Sequence, residues 1–159
     1  MSEHDDGIVL VENEDAFQQV CKIPEIVDHW LCVWGAGYAT DGLVEFLRTM
    51  TPLPVTAWQD LDAHGIRIIH NLTERIERHV TPVGMDVELY RAGPKYKQEP
   101  SKLEKNLELA SELALKGPLA LREIVANGGE GCEHETLYAQ VLPTLSARLN
   151  DVLARQPDR

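Results

Sequence analysis

The chain has 159 residues, three cysteines and a formal net charge of −11. That length suits one domain with a single core, and 43% hydrophobic with 26% charged residues is a globular balance, not a disordered one. The charge opposes unaided binding to nucleic-acid phosphates, and no apolar run approaches the roughly 20 residues of a membrane span.

The acidic start "MSEHDDG" is unlike a signal peptide, so a cytoplasmic location is expected. Cys21, Cys32 and Cys132 form no CxxC pair, which fits a reducing compartment and argues against a disulfide framework. The ligand types in "CEHE" (Cys132 to Glu135) are adjacent, and adjacent residues seldom converge on one zinc ion.

In chain order, "GIVLVE" (Gly7 to Glu12) is a short apolar run, as expected of a strand buried on both faces. "NEDAFQQVCKI" reads as a helix that Pro24 helps to close. "HWLCVWGAG" (His29 to Gly37) is a second strand ending in turn glycines, Gly35 and Gly37. "ATDGLVEFLRTM" spaces Leu43, Phe46, Leu47 and Met50 on one helical face. "TPLP" separates it from a third strand, "VTAWQDLD", and "GIRIIHNLTERIERHV" is a third helix with Ile66, Ile69, Leu72 and Ile76 inward. "GMDVELYRAG" is expected to be the fourth strand. Strand–helix alternation with short links implies a mainly parallel α/β sheet flanked by helices over residues 7–92.

Residues 93–159 are expected to be an all-α extension packed on that core. "SKLEKNLELASELALKG" carries a capping box, Ser101 with Glu104. "GPLALREIVANGG" has the start and stop signals of a short helix, and "EHETLYAQVLPTLSARLNDVL" is helical with Pro143 forcing a kink or break.

Ligands of open parallel sheets collect outside the carboxyl ends of the strands. Those ends carry Glu12 and Glu14, then Gly35 and Gly37, then Asp60 and Asp62. Residues i and i+2 of an extended chain project to one side, so Asp60 and Asp62 can face a common ion while Leu61 points inward. Carboxylates without His or Cys suit a hard cation such as Mg2+ or Mn2+, whose charge would relieve their repulsion. Aspartate before a helix is also a favoured N-cap, so capping and metal binding both stand on the DxD alone. The helix beginning near His64 aims amides at the same edge.

The words around these acids resemble a family. "VLVENEDAF" resembles the Toprim strand whose glutamate closes it, and "WQDLDAHGIRI" resembles the DxDxxGxxI segment of Toprim domains in the topoisomerase VI A-subunit group. The likeness is closer to the JetD-like nuclease subunit of Wadjet plasmid-defence systems, and "VWGAGYATDGLVEFL" resembles that group's second unit. "GEGCEHETL" is similar to a glutamate-rich EQE stretch near the end of JetD-like proteins. The resemblance implies a Toprim four-stranded sheet, with Glu12, Asp60 and Asp62 binding Mg2+ or Mn2+ and serving phosphodiester chemistry on DNA. Gln59 replaces a common glycine and His64 replaces the proline of the topoisomerase group; neither removes a ligand.

Topoisomerase-like relatives carry a nucleophilic tyrosine in a preceding winged-helix domain, whereas this sequence starts just before the first strand. The expected chemistry is therefore a metal-activated water attacking a phosphodiester, within a larger assembly whose DNA-binding domain or protein partner supplies the basic surface. Tyr38, Tyr90, Tyr96 and Tyr138 read as packing or surface tyrosines. Glu14 is a second candidate for the first-strand ligand, and His64 for a phosphate contact or proton shuttle. Glu133 and Glu135 read as helix-start charges or as site participants. Lys95 and Lys97 read as a solvated loop or a backbone contact to DNA, and Arg67 and Arg75 as exposed helix charges. The rival function is a non-catalytic interaction module, which the acidity favours. A haloacid-type phosphatase would place its DxD after the first strand, and a receiver domain needs a lysine late in the sheet, for which this sequence offers no convincing candidate.

Overall fold

The computed structural model describes residues 6–96, 99–113 and 130–155. Its sheet has four strands, β1 (Gly7–Val11), β2 (Trp30–Trp34), β3 (Val55–Trp58) and β4 (Val80–Pro82), in the order β2-β1-β3-β4 and parallel throughout. Every residue of β1 and β3 is buried, which is why both read as unbroken apolar runs. Ile8, Val9, Leu10 and Val11 are each 2% exposed or less. Burying each such side chain is worth about 1.5–3 kcal/mol, enough to seat β1 at the sheet centre.

The helices are α1 (Glu14–Val20), α2 (Pro24–Val27), α3 (Asp41–Thr49), α4 (Ala63–Ile76), α5 (Val87–Ala92), α6 (Pro100–Leu113) and α7 (His134–Ala154). Their starts follow capping chemistry: Asn13 accepts from Ala16 N–H at 3.0 Å and Thr40 from Leu43 N–H at 3.2 Å. Helix α1 packs against β1, β2 and α7, whereas α3 packs against α4, and α4 against β4 and α6.

This strand order positions the site. The chain leaves β1 towards β2, then returns past β1 to β3. Right-handed crossovers in opposite directions put their helices on opposite faces and open a crevice between the carboxyl ends of β1 and β3. Glu12 and Asp60 follow those two ends.

The fourth strand is not where the sequence pattern places it. Residues 84–93 contain α5, with Asp86 accepting from Leu89 N–H at 3.0 Å as its N-cap, and the strand is Val80–Pro82 upstream. "DVELYRA" buries Leu89 and Tyr90 at adjacent positions, which suits a short helix docking on one side and not a strand's alternation. The sequence pattern carries the third helix through Val80, but α4 stops at Ile76, with Glu77 left-handed at φ 57°, and Val80 begins the strand. Of the expected kink or break at Pro143, no break occurs: the proline lies inside a continuous α7, its lost N–H outweighed by an apolar stripe of Leu137, Val141, Leu145 and Leu149. The short helix expected at 117–129 lies outside the described residues, as does Lys97. Among the described residues no helix is long and apolar enough to cross a membrane.

Candidate active site

Beyond β1, Glu12 N–H donates to Trp58 O at 3.3 Å, extending the β1–β3 ladder and setting Glu12 beside the Gln59–Asp60 turn. Burial pushes the Glu12 carboxyl up to about 7, with the Asp60 charge adding, the Asp60 backbone N–H opposing and Asp62 contributing last. The Asp60 carboxyl is pushed up to about 6, chiefly by burial. The His134 backbone N–H opposes this, and the Asp62, Glu135 and Glu133 charges add to it. The acids ending β1 and β3 therefore converge on one half-buried spot.

Asp62 is built differently. It is 6% exposed and caps α4, its Oδ1 accepting from Gly65 N–H at 2.7 Å, while Oδ2 accepts from the Tyr96 hydroxyl at 2.6 Å. A Cβ on Gly65 would lie 2.2 Å from the Asp60 carbonyl oxygen, so only glycine lets the first turn of α4 close over the DxD loop. The Asp62 charge and burial together push the Tyr96 phenol far above its ordinary range, burial first.

Residues 130–132 run beside the same loop. Leu61 and Cys132 form an antiparallel bridge with N–H···O distances of 2.9 and 3.0 Å. Gly131 passes so close that a Cβ there would meet Asp62 Cβ at 2.3 Å. The chain then enters α7, whose first amide, His134 N–H, donates to Asp60 Oδ1 at 2.8 Å. The His134 side chain is fully buried, edge-on to Trp58 at 4.8 Å, with Nδ1 3.4 Å from Asp60 Oδ1. Burial pulls its pKa down to about 4, so the ring is neutral at neutral pH.

Of the secondary candidates, Glu135 and Glu133 are brought to the cluster by α7, and Glu135 Oε1 accepts from Asn13 Nδ2 at 2.7 Å. Glu14 is exposed on α1, accepts from Gln18 at 3.5 Å, and is not among the charges acting on Glu12 or Asp60. His64 is exposed, its ring edge-on to Tyr38 at 5.5 Å. Lys95 is occupied by structure: Nζ donates to Gly93 O at 2.7 Å and to Tyr90 O, capping α5, and sits 4.4 Å from the Tyr90 ring centre. Arg67 pairs with Glu112 at 3.6 Å, and Arg75 clasps Asp41 at 2.5 Å as well as Ala39 O, so neither is a free helix charge.

A family model described as Wadjet protein JetD, C-terminal, matches residues 2–135. The chain belongs to the Wadjet JetD C-terminal family. The matched span contains the whole sheet and all the candidate acids, and it ends in the first turn of α7. No curated protein matches the chain.

Two residues of this JetD-family site escaped the sequence pattern. Tyr96 lies 34 positions from Asp62, and nothing local announces their hydrogen bond. His134 had a signal: it begins the α7 stripe that continues through Leu137, Val141, Leu145 and Leu149, which marks an inward face.

Among the described residues no group of three or more His, Cys, Asp or Glu side chains is arranged to hold a metal ion. The donor set nevertheless suits one hard cation. Burial first, and neighbouring carboxylates after it, hold Glu12 and Asp60 above the usual carboxylate range, a cost of ionisation that a divalent ion would offset. Both Asp62 oxygens are already engaged. Two carboxylates with water completing the shell is an ordinary Mg2+ arrangement.

Proposed function

We propose that this chain is a Toprim-like metal-dependent nuclease domain of a Wadjet defence system, acting on DNA within a larger assembly. The observation that carries the reading is the meeting of Glu12 and Asp60 at the β1/β3 switch point, where an open parallel sheet receives its ligand: burial raises both carboxyls, and the Asp60 charge adds to the rise at Glu12. Family membership supports the defence context.

In this reading Glu12 and Asp60 hold Mg2+ or Mn2+. The bound ion supplies charge neutralisation at the phosphoryl oxygens and a more acidic attacking water. The His134 backbone N–H fixes the orientation of Asp60. Asp62 fastens the helix start and adds negative charge behind the pair. Glu133 and Glu135 extend the acidic edge, which leaves phosphate recognition to a basic partner surface.

The test is nicking of supercoiled plasmid with Mg2+ or Mn2+ by the wild type beside Glu12→Gln and Asp60→Asn, with metal binding followed by calorimetry. Metal binding and nicking by the wild type alone are expected. Equal nicking by all three proteins, or no metal binding by any, rejects the assignment. A second reading, a non-catalytic interaction module, is favoured by one observation: both Asp62 oxygens are engaged within the fold. An unchanged melting temperature in millimolar Mg2+ would select it.

A further inference from the structure

Among the described residues, four buried side-chain polar atoms make no hydrogen bond: Trp58 Nε1, Gln59 Oε1 and both ring nitrogens of His134. All four lie at or against the end of β3, where the chain runs into Asp60. Buried polar groups without partners are rare, because each forfeits its bonds to water. His134 is the extreme case, a fully buried imidazole that begins the apolar stripe of α7. A leucine there would extend the stripe without that cost, so packing does not account for the ring.

The ring is aimed at the acids. Its Nδ1 faces Asp60 Oδ1 at 3.4 Å, longer than an ordinary N–H···O bond. The same oxygen accepts from the His134 backbone N–H at 2.8 Å. With a carboxylate oxygen beside Nδ1, the proton of the neutral ring belongs on that nitrogen. Two donors of one residue thus converge on Oδ1, while Oδ2 accepts no hydrogen bond among the described residues.

We propose that the His134 imidazole is a positioning residue, which fixes Asp60 Oδ1 and so leaves Oδ2 as the oxygen presented to the cation. The inference rests on the metal reading of Glu12 and Asp60 above. The last torsion of an aspartate is broad, so one donor fixes where Oδ1 sits and leaves the carboxylate plane free to turn. A second donor to Oδ1 fixes the plane before the ion arrives. Partners of this kind orient the carboxylates that ligate metals. Their hydrogen bonds are often long until the site is loaded and shorten then.

The experiment pairs two readouts on the full chain. Nitrogen NMR of the ring without metal is expected to find the proton on Nδ1 in the wild type, and to lose that preference in Asp60→Ala. Calorimetric titration with Mg2+ and Mn2+ is expected to show binding weakened about tenfold or more in His134→Leu. Binding is kept in His134→Asn, whose amide nitrogen can take the place of Nδ1. The melting temperature of His134→Leu at pH 8 is expected not to fall, which separates this loss from damage to the fold. Should His134→Leu fail to fold, His134→Asn and the ring proton decide. Wild-type metal affinity in His134→Leu, tenfold weakening in a folded His134→Asn, or a wild-type ring protonated on Nε2 alone would overturn the proposal. Absence of metal binding by the wild type, with the proton on Nδ1, is a distinct failure: it removes the metal reading of the acids, and the positioning role with it.

Discussion

The backbone N–H of His134 donates to the Asp60 carboxylate at 2.8 Å across 74 residues of chain. It is the contact that fastens the start of α7 to the end of β3, and it does so beside a buried, neutral imidazole.

Substituting that ring keeps the backbone bond and so isolates the side chain. Burial holds the His134 pKa near 4, below its ordinary 6.5, and the unfolded chain therefore binds more protons between those values. Stability contributed by neutral His134 is complete above pH 6.5 and is lost as pH falls towards 4. In His134→Leu that acid-side loss should disappear, read as a difference in melting temperature between wild type and variant from pH 7 to pH 4. Parallel curves would reject the burial argument.

The acids carry the opposite sign. Burial raises the Glu12 and Asp60 carboxyls to about 7 and about 6 in the folded chain, above their ordinary 4.5 and 3.8, so the folded state holds more protons in that window. Stability should fall as pH rises from about 4 to 7, with the full penalty present above it. The Glu12→Gln, Asp60→Asn variant should therefore melt higher than wild type at pH 8 without metal, by about 2–4 °C per kcal/mol recovered. Mg2+ should raise the wild-type melting temperature at pH 8 and leave the variant unmoved.

Tyr96→Phe tests the engagement of Asp62. Losing the hydroxyl at 2.6 Å removes a charge-assisted hydrogen bond and should lower stability by about 1.5–3 kcal/mol. It also frees Asp62 Oδ2, so calorimetry should show tighter Mg2+ binding than in the wild type. Weaker binding would mean that Tyr96 positions Asp62 for the ion and does not compete with it.

Gly65→Ala sets a methyl against the Asp60 carbonyl, a backbone atom that cannot swing aside. A loss of about 1–3 kcal/mol is expected from overpacking, measured by denaturant unfolding, together with weaker metal binding as the DxD loop shifts. Wild-type stability in this variant would show that the loop relaxes freely.

Lys95→Met separates structure from ligand binding. The ammonium caps carbonyls at the end of α5 and faces the Tyr90 ring, so its loss should cost about 0.5–1 kcal/mol. Metal affinity and plasmid nicking should be unchanged, and a selective loss of nicking would restore the backbone-contact role that the sequence allowed.

What the sequence determined by itself follows from local rules. A parallel strand buried on both faces must be a continuous apolar run, so "GIVLV" and "VTAW" mark β1 and β3, and the residues ending them mark the sheet's carboxyl edge. That was enough for the α/β class and for Glu12, Asp60 and Asp62 as neighbours. The aspartate cap of α4 was legible for the same reason, being a contact between residues three apart.

Tertiary structure decided the rest. Val80–Pro82 became the fourth strand because β3 offered a free edge there, while residues 87–92 coiled onto the core behind the Asp86 cap. Asp62 gained Tyr96, and Asp60 gained His134 and the Glu133 and Glu135 charges, only when distant segments folded over the DxD loop. Such contacts depend on which surfaces are left to bury once the sheet has formed, and no local periodicity encodes that.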